Sequence, residues 1–75
     1  MMLTFELARS SDQLEIHADR EGLQALVAAL QQVVARGGHE HLMTPEWGGR
    51  ELTSEKQGEA NTVLHEVSVY LWPRT

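Results

Sequence analysis

From Asp19 to Gly38 the chain reads DREGLQALVAALQQVVARGG, and that stretch fits one structure, an amphipathic helix. Asp19 is a good N-cap, because its carboxylate can accept from the free amides of a first helical turn. Leu23, Leu26, Val27, Leu30 and Val34 recur at helical spacing, while Gln24, Gln31 and Gln32 fall mostly elsewhere. Arg36 suits the negative end of the helix, and Gly37-Gly38 offers a left-handed stop. One helix of this kind needs a layer to roof, and the flanking sequence supplies it.

Leu3–Ala8 alternates apolar and polar residues, turn chemistry follows at Arg9–Asp12, and Gln13–Ala18 alternates again, which predicts an antiparallel hairpin. After the helix, Glu40–Thr44 reads as a strand that ends where Pro45 pushes Thr44 into an extended conformation. Glu51–Thr53 is a candidate short strand and Ser54–Asn61 an exposed connection. Thr62–Trp72, rich in β-branched and aromatic residues, is the last strand, stopped by Pro73. The expected architecture is a single α+β domain over residues 1–75, a two-layer sandwich with a mainly antiparallel sheet and the helix on one face.

Strand alternation divides the sheet residues into two sets. Leu3, Phe5, Leu7, Leu14, Ile16, Leu42, Val63, Val67, Val69 and Leu71 are expected to face the helix. Thr4, Glu6, Glu15, His17, His39, His41, Met43, Glu66, Ser68, Tyr70 and Trp72 form the reverse face, with His65 falling on the apolar side. Imidazoles, carboxylates, a phenol and an indole make up the composition of a contact surface. A one-helix core has little stability to spare, since burying an aliphatic side chain contributes ~1.5–3 kcal/mol and ordering a residue costs ~1.5 kcal/mol. Covering the open face would help, so a weak homodimer is expected.

The loop HEHLMTPEWGGRELT, His39–Thr53, is the most distinctive segment. Pro45, Gly48-Gly49 and Trp47 shape it, and shaped loops commonly carry recognition. Trp47 either contacts a partner or folds back to stack on Tyr70. Glu46, Arg50 and Glu51 are either partner-facing charges or pairs within the loop.

Other chemistry is poorly supported. His39 and His41 project to one side of a strand and, with His17, form a possible metal set, but zinc needs three or four converging ligands. No metal and no cofactor is expected. Ser10, Ser11, Ser54 and Ser68 show no nucleophile elbow, and Gly48-Gly49 lacks the lysine of a phosphate-binding loop, so no enzyme activity is expected. A net charge of −5 argues against nucleic acid. No apolar run is long enough to span a bilayer, Met1–Ser10 lacks signal-peptide character, and the chain has no cysteine. A cytoplasmic location away from membranes is therefore expected.

At His39–Trp72 the chain resembles the immunity protein 32 family of bacterial polymorphic-toxin systems. The resemblance rests on H-x-HLMTP-x-WGG-x-ELT, on Lys56-Gln57-Gly58, and on His65 ahead of the alternating strand that ends Tyr70-Leu71-Trp72. It covers the second half of the chain; the hairpin and helix agree in pattern only. It implies an intracellular binding protein that neutralises a toxin made by the same or a competing cell. The candidate partner-binding residues are His39, His41, Glu46, Trp47, Arg50, Glu51, Tyr70 and Trp72. The alternatives are a histidine-based metal or ligand binder and a homodimeric structural subunit.

Overall fold

The computed structural model describes residues 1–73. Strands β1 (Leu3–Leu7) and β2 (Leu14–Ala18) pair antiparallel, Leu3 opposite Ala18 and Leu7 opposite Leu14. Helix α1 (Arg20–Arg36) follows at once, with Asp19 as its N-cap: Oδ1 accepts from the Gly22 N–H at 2.7 Å. Gly37, at φ 78°, ends it by donating to the Val33 carbonyl. Then come β3 (His39–Met43), a 3-10 turn at Pro45–Trp47, β4 (Thr62–Val63) and β5 (Glu66–Tyr70).

The fold is α+β, with the helix packed on the strands, as expected. The strands form two antiparallel sheets, β2-β1-β4 and β3-β5. The expected strand Thr62–Trp72 is divided between them. Its first residues pair with β1, the Leu64 N–H donates to the Phe5 carbonyl at 2.8 Å, and the His65 carbonyl accepts from Thr44 at 3.0 Å. One extended segment thus leaves the first sheet and joins the second, so right-handed twist is taken up at a break.

Leu3, Phe5, Leu26, Leu42 and Leu52 form the core, with Ala18, Ala29, Leu64 and Val67 packed against it. The helix meets it through Gly22, Leu26 and Val33, which are buried. Of the expected stripe only Leu26 is inside; Leu23, Val27, Leu30 and Val34 are exposed. The helix is turned by one residue, about 100°. Small side chains decide this: a Cβ at Gly22 would lie 1.9 Å from the Met2 carbonyl oxygen, so that face approaches the β1 end more closely than a leucine face can.

Further expectations are corrected. Leu14 and Ile16 lie on the helix side of β2 but remain about half exposed. A helix is about 10 Å across and strands lie about 4.8 Å apart, so a helix shared among β1, β2, β3 and β5 covers the outer strand β2 only in part. Conversely, Thr4 and Glu6 are fully buried on the face expected to be open. The segment 54–61 is the irregular, largely exposed connection expected, but it also folds across β1, where the Gln57 and Gly58 N–H groups donate to Glu6 at 2.9 and 3.0 Å. Glu51–Thr53 forms no strand, yet it ties the sheets together. Leu52 donates to the Met43 carbonyl at 3.1 Å and Thr53 to the Leu3 carbonyl at 2.8 Å.

Candidate functional site

The register of β3 and β5 sets His39 opposite Tyr70, His41 opposite Ser68 and Met43 opposite Glu66. Alternation places all six on one face, while Leu42 and Val67 on the other reach the core. The His39 ring stacks on Tyr70, with centroids 5.2 Å apart and planes at 26°. It meets His41 edge-on at 4.9 Å. Nδ1 of His41 lies 2.8 Å from Ser68 Oγ and 2.9 Å from Glu66 Oε2, which fixes the imidazole against β5. Tyr70 is 57% exposed, so the stack is presented to solvent rather than absorbed into a core. Trp72 is exposed and lies two residues beyond Tyr70, where the Leu71 N–H still bonds the Gly38 carbonyl at 2.9 Å.

The loop leaves from the far end of this ladder, about 14 Å from His39 by strand rise. Its turn is closed by backbone bonds: Gly48 N–H reaches the Pro45 carbonyl and Gly49 N–H the Thr44 carbonyl at 2.9 Å. A Cβ at Gly49 would sit 2.3 Å from the Met43 carbonyl oxygen, so this close approach demands glycine.

Trp47 does not reach Tyr70. It stacks on His65, centroids 5.8 Å apart and planes at 10°, and remains 57% exposed. His65 in turn shares a 2.8 Å hydrogen bond with the buried Thr44 hydroxyl, which accounts for a histidine on the apolar side of the strand.

The loop charges divide by role. Oε1 of Glu51 accepts from the Met43 N–H at 3.0 Å and more distantly from Arg50 N–H. The Met43 amide holds the Glu51 carboxyl below the usual range even against partial desolvation. Glu51 is therefore committed to the backbone. Glu46 is exposed and accepts from the Ser54 hydroxyl, which lowers its carboxyl. The Arg50 residue is exposed.

His17 belongs elsewhere, on β2, with Nε2 2.8 Å from Glu15 Oε1. The candidate metal set is split between the two sheets, and among the described residues no group of three or more His, Asp or Glu side chains could hold a metal. Among the described residues, no helix is long and apolar enough to cross a membrane.

The sequence reasoning missed a polar cluster on the other sheet. Glu6 accepts from the Thr4 hydroxyl, from Gln57 and Gly58, and from Asn61 Nδ2 at 3.0 Å. Asn61 also donates to Glu15 at 3.0 Å. Burial alone would raise the Glu6 carboxyl, but these bonds together bring it down to about 2. The available signal was Lys56-Gln57-Gly58 with Asn61, a polar run whose donors match a carboxylate in the first strand.

No curated protein and no solved structure matches the chain. The family model for immunity protein 32 matches residues 13–67, from just before the second strand to the first residues of the last. That span takes in the helix, the histidine strand, the Trp-Gly-Gly loop and the segment that caps Glu6, and on it the chain belongs to the immunity protein 32 family.

Proposed function

We propose that this chain is a non-enzymatic protein that neutralises a protein toxin by occluding it, docking through the outer face of β3 and β5. The observation that carries this is the exposed His39–Tyr70 stack, braced by His41 on Ser68 and Glu66. Aromatic side chains held rigid at an exposed site lose little entropy on binding, which is why they recur as interface anchors. Trp72 extends the surface at one end, and Trp47, Glu46 and Arg50 extend it at the other. The net charge of −5 suits a basic target, because opposite fields speed encounter and orient it. The protein acts as a single domain in the cytoplasm, a compartment consistent with a chain that has no cysteine.

Co-expression with candidate toxins drawn from the genes that flank its own, followed by a binding titration, tests both parts. The wild type should protect cells, and a His39→Ala/Tyr70→Ala double variant should bind at least about tenfold more weakly, a loss of ~1.4 kcal/mol. Unchanged affinity in a folded double variant rules out this surface. No binding and no protection by the wild type rules out the role.

A further inference from the structure

Strand β2 is the outer strand of its sheet, and among the described residues it pairs with β1 alone. Asp19 N–H donates to the Met2 carbonyl at 3.1 Å and Ala8 N–H to the Gln13 carbonyl at 3.0 Å. The odd-numbered residues of β2 therefore turn their backbone groups towards β1. Alternation points the N–H and C=O groups of Leu14, Ile16 and Ala18 outward. Natural edges are blunted by lysine, proline, bulges or a covering loop. β2 carries no lysine or proline, its sequence being LEIHA, it pairs with β1 residue for residue without a bulge, and among the described residues no other segment bonds its outward backbone groups. The edge of β3 is different, because Glu51 and Leu52 close it at Met43.

An apolar shelf adjoins this open edge. Leu14 and Ile16 are 52% and 48% exposed, and Leu23, Val27, Leu30 and Val34 on α1 are 40–74% exposed. Leu23 and Val27 line a shallow groove with Ala18, so the end of β2 meets the first turns of the helix there.

We infer that the β2 edge and this shelf take a second copy of the chain, joined antiparallel about a two-fold axis at Ile16. The strand is self-complementary in that register. Ile16 faces Ile16 of the second copy and Leu14 faces Ala18, so every outward-pointing residue meets another and the strand overlaps over its full length. Odd-numbered shifts would set outward groups against inward ones. On the reverse face Glu15 comes opposite His17 of the second copy, a carboxylate against an imidazole. Sliding the strands by two residues in one direction sets Glu15 against Glu15, and like charges directly opposed are destabilising. The same axis brings the two apolar shelves together on one side of a continuous sheet. The β3–β5 face lies in the other sheet and stays free, so the dimer presents two toxin-docking surfaces.

The test uses the full chain. Sedimentation between about 1 and about 200 µM should show a monomer–dimer equilibrium, and Ile16→Lys should weaken it at least about tenfold. The chain has no cysteine, so single cysteine substitutions report the register. Directly opposed Cα atoms lie about 5.5 Å apart, within the span a disulfide bridges. Ile16→Cys should therefore crosslink to a dimer under mild oxidation, and Leu14→Cys, displaced from its own copy by four residues, should not. A wild type that is monomeric across this range, or equal crosslinking at both positions, overturns the proposal. It is also overturned if the wild type stays monomeric while Ile16→Lys loses toxin binding, which would give the edge to the toxin.

Discussion

The side-chain amide of Asn61 donates to Oε1 of Glu6 at 3.0 Å, joining residues 55 apart in sequence. Both are buried, and the Gln57 and Gly58 amides complete the cluster. This carboxylate, rather than an apolar contact, holds the segment 54–61 across β1. Replacing it with Glu6→Ala leaves buried donors without an acceptor, and each such group costs ~1–3 kcal/mol. Chemical denaturation should show a loss of about 3 kcal/mol or more. The Gln57 and Gly58 amides should exchange with solvent much faster than in the wild type. A loss below about 1 kcal/mol would show that the segment is held by something else.

Acid should release the same latch. The Glu6 carboxyl is lowered from 4.5 to about 2 in the fold. A carboxyl lower when folded than when unfolded stabilises the fold above its unfolded value, and that stability is lost as pH falls through the folded one. The urea midpoint should therefore fall between pH 4.5 and about 2. Glu15, Asp19, Glu46 and Glu51 are lowered too and act with the same sign. The difference between the wild type and Glu6→Gln isolates Glu6, and should shrink across that window. A difference independent of pH contradicts the assignment.

The rotation of α1 can be read by paired truncations. Leu26 is 8% exposed and Leu23 is 50% exposed. Leu26→Ala should cost about 2–5 kcal/mol. Leu23→Ala, measured at concentrations where the chain is monomeric, should cost less than about 1 kcal/mol. Equal costs in thermal or urea unfolding would place the core stripe elsewhere on the helix.

Trp47 and His65 should separate stability from recognition. The stack of the two rings is worth about 0.5–1.5 kcal/mol, so Trp47→Ala should destabilise by that amount. His65→Ala should cost more, because it also strands the buried Thr44 hydroxyl. Denaturation of the two variants gives the order directly, and a larger cost for Trp47→Ala would refute it. If Trp47 also contacts the toxin, Trp47→Ala should lower affinity by more than this change in stability accounts for.

Local chemistry was legible in the sequence. The N-cap at Asp19, the glycine stop, the hairpin and the two-residue alternation that gathers His39, His41 and Tyr70 on one face each depend on neighbours within a few residues. Their geometry follows from backbone periods that the chain carries with it. Three features belong to the tertiary structure. The helix chose the Gly22–Leu26–Val33 face over the Leu23–Val27–Leu30 face because Gly22 fits against Met2. The face of β1 carrying Thr4 and Glu6 was closed by donors some fifty residues downstream. Trp47 found His65 rather than Tyr70 because the loop leaves from the other end of the ladder. A wide apolar arc, a carboxylate in a strand and an indole on a loop each have several possible partners in one dimension. Only the packing of distant segments selects among them.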